Sequence, residues 1–207
     1  MEATIKAGFS EVVITPPIGC FLAGYFTPRK SRGVAGDLYA RTAVFTDGDE
    51  TVSVTSCDLI GLDAEIVREA RELAEDATGI PGDNMMICAT HTHTGPYTVR
   101  NLMGSEARDE DYLRLLPRLI AGSIAEACRH LRKAEARVGL GQEDSVVFNR
   151  RYVMRDGRVA TNPGRGNPDI VRPAGPVDPQ LTVLSIYSPS GLTGLAVNYA
   201  NHVDVVG

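Results

Sequence analysis

A chain of 207 residues, 43% hydrophobic and 23% charged, has the composition of an ordinary globular protein able to bury a core of its own. Its net charge of −5 argues against a nucleic-acid partner, which needs clustered Lys and Arg. No apolar run approaches the length of a membrane span, and the first residues, with Glu2 and Glu11, hold no apolar block of a signal peptide. Cys20, Cys57, Cys88 and Cys128 are scattered, with no CxxC pair, and read as buried thiols. These features together lead to the expectation of a cytoplasmic protein with no transmembrane segment.

The first 35 residues read as a strand followed by a long loop, broken by Pro16, Pro17, Gly19, Gly24 and Pro28, with a basic turn at Arg29, Lys30 and Arg32. Strands follow over 38–46 and 51–57, joined by the hairpin signal Asp47-Gly48. Asp63 suits a helix N-cap, with Ile66, Val67, Ala70, Leu73 and Ala74 on one face and Gly79 and Pro81 at the end. The wholly apolar run 85–89 predicts a short strand buried on both faces. A longer helix is expected from 109 to about 133, with Leu113, Leu116, Ile120, Ile124, Ala127 and Leu131 as its apolar stripe and a kink at Pro117 unless that residue lies in the first turns. Strand character resumes over 136–141. Residues 149–178 form a polar segment rich in Gly, Pro and Arg, the kind that is functional or disordered. A last hairpin is expected from 181–187 and 192–200. Helices mixed with local antiparallel strand pairs predict an α/β (α+β) layered domain, with mixed β-sheets flanked by helices.

Chemistry-bearing residues gather at strand ends. The apolar strand 85–89 runs into His91-Thr92-His93-Thr94-Gly95-Pro96. If the strand continues through the motif, both imidazoles project from one face and line a cleft. Neutral imidazole is a common zinc ligand, so the pair reads either as part of a metal site or as histidines bonded to backbone. His202 follows the last apolar strand in the same way. His130, near the basic end of the second helix, reads as structural. Arg150, opening the polar segment, is either a planar donor for a carboxylate or carbonyl, or one solvated arginine among several. Asp58 reads as a cap to the turn after its strand, with orientation of a histidine as the other role. The absence of GxSxG, P-loop, GxGxxG and HExxH patterns argues against serine hydrolases, nucleotide enzymes and that class of zinc protease.

Taken in order, Ile14-Thr15-Pro16-Pro17, Gly24-Tyr25, Asp37-Leu38-Tyr39-Ala40-Arg41, Ser56-Cys57-Asp58, Ala89-Thr90-His91-Thr92-His93-Thr94-Gly95-Pro96, Asn149-Arg150 and Asn198-Tyr199-Ala200-Asn201-His202 resemble the neutral, non-lysosomal ceramidases and their shorter bacterial relatives. The resemblance implies a zinc-dependent hydrolase of amide bonds, with His91 and His202 binding Zn2+. It implies that His93 moves protons without binding the metal, and that Arg150 contacts a small amide or lipid-like substrate. It also implies two further ligands, a glutamate and a tyrosine, downstream of the second histidine. Residues 1–207 are therefore expected to be a single N-terminal part of a zinc-hydrolase catalytic domain. The rest of its site would come from a downstream segment or another chain. The competing expectations are a non-catalytic ligand- or partner-binding domain on the same scaffold, and a metal-dependent esterase.

Overall fold

The computed structural model describes residues 5–100 and 108–202, which divide into two compact units. The first comprises the described residues through Glu135 with Ile186–Gly191; the second comprises Ala136–Ser185 with Leu192–His202.

In the first unit, β1 (Ile5–Val13) is followed by a short antiparallel pair, β2 (Phe21–Leu22) and β3 (Arg29–Lys30), inside the stretch expected to be loop. The expected hairpin is present as β4 (Tyr39–Thr46) and β5 (Thr51–Cys57). Its turn is closed by the Asp47 carboxylate, which accepts the N–H groups of Asp49 and Glu50 (3.0 and 2.9 Å). Helix α1 (Ala64–Thr78) then carries the chain across to β6 (Met85–Ala89), parallel to β5. Helix α2 (Glu110–Arg129) leads to β7 (Arg132–Gln142), whose first residues pair with β1. The strand order here is β7-β1-β4-β5-β6, antiparallel except for the last pair.

Alternation decides which face the helices cover. Ala40 and Val44 of β4, Cys57 of β5, and Leu116, Ile120, Ile124 and Ala127 of α2 belong to one buried cluster, joined by Ile66, Ala70 and Ala74 of α1. The predicted helical faces are thus the ones buried. A line of hydroxyls crosses this helix–sheet contact: Thr55 bonds Thr42, Thr42 bonds Ser123, and Ser123 bonds Ser10, each at 2.8 Å. Each such bond contributes about 0.5–1.5 kcal/mol, and together they fix α2 laterally on β1, β4 and β5.

Three expectations are corrected. β6 is an outer strand of its sheet among the described residues, and Met86 is 57% exposed, so the apolar run is not buried on both faces. Helix α2 ends at Arg129 rather than near residue 133, because His130 donates from Nδ1 to Phe9 O (3.1 Å) and the chain turns into β7. Pro117 lies inside α2 and does not end it. The third correction concerns the polar segment 149–178 in the second unit. It holds β8 (Arg151–Met154), β9 (Val159–Thr161) and β10 (Ile170–Pro173), an antiparallel sheet in the order β10-β8-β9. The remaining strands, β11 (Gln180–Ser188) and β12 (Gly191–Tyr199), are the expected last hairpin, and the order is β12-β11-β7. The fold class is the expected one: helices and mixed sheet in layers.

Cys57, wholly buried on β5, supplies a pH test. Burial, then the charges of Cys88 and Asp58, push its thiol up from 9.0 to about 12. Burial also raises the Tyr112 phenol, which donates to Ile14 O (2.6 Å). Both groups keep their protons in the folded state at pH values where the unfolded chain loses them. Their contribution is therefore complete below about pH 9 and falls as pH rises, by at most about 1.4 kcal/mol per pH unit for each group. Urea midpoints at about pH 8 and about pH 11 are expected to differ less in Cys57→Ala than in wild type.

Candidate active site

The site is built on the loop that leaves β6. The pairing Cys57↔Ala89 sets the ends of β5 and β6 side by side, and Thr90 extends it by donating its N–H to Cys57 O (2.9 Å). The next residue breaks the strand. His91 has φ 64, the left-handed region that a non-glycine residue enters at a cost of about 1 kcal/mol or more. The condition that the strand continues through the motif is therefore not met. His91 and His93 still come together: their ring centroids lie 5.0 Å apart with the planes at 89°, and a nitrogen of each lies within 4.8 Å of one on the other.

Both rings are anchored to main chain. His91 Nδ1 lies 2.7 Å from Ile60 O, in the turn after β5, and His93 Nδ1 lies 3.0 Å from Gly24 O, between β2 and β3. A carbonyl oxygen only accepts, so in each ring Nδ1 carries a hydrogen, and in the neutral ring Nε2 carries the lone pair. This is the outer arrangement that orients a metal-binding histidine, and an Nε2 lone pair can bind a metal ion or accept a proton.

The short β2–β3 hairpin closes over the motif. Ala23 N–H donates to Gly95 O (2.9 Å), and a bridge joins Leu22 to Pro96. Arg29 donates from Nη2 to His93 O (3.0 Å) while its guanidinium stacks 3.7 Å from the centre of the Tyr25 ring. Tyr25 in turn stands edge-on to His93, with centroids 5.8 Å apart. Beneath the site, Ala23, Ile60 and Tyr97 form a small buried cluster, and Thr98 donates to Gly61 O (2.6 Å). In the sequence Arg29 is only one of three cations in a basic turn, and nothing marks Tyr25 or Ile60 for chemistry. The contacts that matter span 64 and 31 residues, and the anchors are main-chain atoms that no residue type announces.

Of the other candidates, Asp58 lies in the first unit and Arg150 and His202 in the second. Asp58 does not orient either histidine through its carboxylate in the contacts it makes with β4. It accepts the Tyr39 N–H (3.0 Å) and the Arg41 guanidinium (2.8 Å). Arg150 lies in the second unit just before β8, exposed, with its carbonyl accepting the Asn162 N–H (2.9 Å). His202, exposed, follows β12 in the same unit.

No protein-family model and no curated protein matches the chain. Among solved structures the fold is found in ceramidases, and it is a ceramidase-like fold that these residues adopt. A ceramidase solved in complex with C2 superposes with TM-score 0.71 at 21% identity over 95% of this chain. The neutral ceramidase from Pseudomonas aeruginosa gives 0.69 at 21% identity over 98%. The chain spans about a third of those proteins, 31% and 34% of their lengths.

Gly24 is the residue on which the anchoring of His93 is most exposed to test. It has φ +94, and a Cβ there would stand 2.4 Å from His93 Nδ1 and 2.8 Å from Ile60 Cδ1. Gly19 has nearly the same φ, +97, with nothing within 4 Å. Gly19→Ala should therefore cost only the backbone strain, on the order of 1 kcal/mol. Gly24→Ala should cost more and should shift the His93 ring resonances in NMR spectra. Equal stability losses, with the His93 signals unmoved, would show that the ring does not sit on Gly24.

Proposed function

We propose that the chain is the N-terminal part of the catalytic domain of a ceramidase-like, zinc-dependent hydrolase that cleaves the amide bond of a lipid-like substrate. The observation that carries this reading is the tautomer enforced on His91 and His93 by the carbonyls of Ile60 and Gly24. The ceramidase-like fold supports it.

In this reading His91 and His202 hold the metal, with the remaining ligands supplied by a further segment or another chain. Zinc at such a site supplies Lewis-acid polarisation of the scissile carbonyl and a lowered pKa for water. The rest is done by this chain's own groups. The Nδ1–H of His91 stays on Ile60 O, which leaves its Nε2 lone pair free of that bond and able to hold a metal ion when one is bound. His93 accepts at Nε2 the proton of the attacking water as its oxygen bonds to the carbonyl carbon, with its Nδ1–H still on Gly24 O, and returns that proton to the leaving nitrogen as the C–N bond breaks. Arg29, through His93 O and the Tyr25 ring, holds this ring's backbone in place. Arg150 donates to the substrate's oxygen near the scissile bond. A cytoplasmic setting is part of the same proposal, in keeping with four cysteines present as free thiols.

Competition titration with a chromophoric chelator tests the metal assignment. His91→Ala and His202→Ala should each weaken zinc binding by more than the about 10–100-fold that loss of an outer-shell partner costs. His93→Ala should leave zinc binding in place and reduce amide hydrolysis about 100-fold or more. If neither His91→Ala nor His202→Ala weakens zinc binding, the assignment is wrong. Turnover of esters but not of amides would make the protein an esterase.

A further inference from the structure

Asp63 stands at the N-cap of α1, yet its side chain makes no capping bond to that helix. A capping carboxylate accepts an N–H of its own first turn. This one is directed instead at the segment that follows the histidine turn. It accepts the Arg100 main-chain N–H on both oxygens (2.9 and 3.2 Å) and the Arg108 guanidinium at 3.0 Å. The Arg108 side chain is 8% exposed, and its Nε keeps a second carboxylate, Glu110, at 3.7 Å. Arg100 reaches on to Glu65, in the first turn of α1, at 2.6 Å. Two residues back on each segment, the buried Thr98 hydroxyl donates to Gly61 O (2.6 Å). The segments lie so close that a Cβ on Gly61 would stand 3.0 Å from Val99 Cγ1.

Residues 60–63 and 98–100 thus form a polar seam with two stitches. The stitch at Asp63 is the stronger, since bonds to an ionised acceptor are about twice as strong as neutral ones. At the near end of the seam is Ile60, whose carbonyl faces His91 Nδ1. Ile60 lies in the connection between β5 and α1, outside the hydrogen-bond ladder of either element. A carbonyl there holds a ring still only if the connection itself is held. We propose that Asp63 is a positioning residue for His91: its carboxylate holds 60–63 against 98–100 and so keeps Ile60 O on the imidazole. A cap is given up at α1 to fix a tautomer outside it. The effect on the ring stands on these hydrogen bonds alone, whereas its effect on metal binding rests on the proposed function.

Long-range 1H–15N spectra of the histidine-labelled chain read each tautomer directly at about pH 8.5, where an ordinary imidazole is neutral. His91 in the wild type should be the Nδ1–H form. Asp63→Ser can cap α1 but brings no charge to Arg108. It should make His91 a mixture of tautomers, with His93, anchored on Gly24, unchanged and the helical circular dichroism kept. Thr98→Val, which opens the other stitch from outside α1, should move His91 in the same direction. Asp63→Asn, which still offers an acceptor to the Arg100 N–H, should restore the wild-type form. Zinc binding, read by chelator competition, should weaken about tenfold in Asp63→Ser, the low end for loss of an outer partner. An unchanged His91 in both Asp63→Ser and Thr98→Val would overturn the proposal. So would equal changes at His91 and His93, which mark a general loosening. A shifted His91 tautomer with zinc affinity unaltered would keep the positioning role and count against the metal reading.

Discussion

A backbone carbonyl has no proton to give, and that asymmetry governs the histidine turn. Because His91 and His93 each face such an oxygen, at 2.7 and 3.0 Å, neither ring can exchange its tautomer without losing a bond. The ring bonds contribute about 0.5–1.5 kcal/mol each, enough to offset the cost of about 1 kcal/mol or more at φ 64 of His91. The strained backbone and the perpendicular rings are two views of one arrangement. Turning the chain out of the strand is what sends the imidazoles to different carbonyls.

The carbonyls must themselves be held still, and the fold does this from two directions. Ile60 follows β5, which is fixed from below by Thr42, Thr55 and Ser123 and locked in register with β6. Gly24 belongs to the hairpin above, which is tied to the 95–96 segment through Ala23 and Leu22 and weighted by the Arg29–Tyr25 stack. Sheet and hairpin thus meet at the motif, each supplying one anchor.

Much of the scaffold was legible in the sequence. Both helices, the hairpin through Asp47-Gly48 and the terminal hairpin follow from periodicity and turn chemistry, which are local properties. The errors came where local pattern underdetermines the answer. A five-residue apolar run such as Met85–Ala89 has the same composition at the edge of a sheet as at its centre. The polar segment 149–178 hides three short strands, because pairs of three or four residues carry too few positions to show alternation. At the site, His91 and His93 stand out because two imidazoles two residues apart follow an apolar strand. Their partners did not, since an isoleucine and a glycine contribute only main-chain oxygens. Arg29 looked like surface charge because its partners lie at the far end of a long-range contact.

The position of β1 has a consequence for biosynthesis. It precedes the other described strands in the chain, yet it lies between β4 and β7, with Ile5 opposite Ala134. One edge can pair as soon as β4 emerges, but the other stays open until α2 and β7 have been translated. At about 5–20 residues per second that interval is on the order of ten seconds. During this time the nascent chain presents an unpaired strand edge, and Gly8 and Ser10 wait for the helix that will cover them. Pairing of the second edge of β1 is thereby timed by translation.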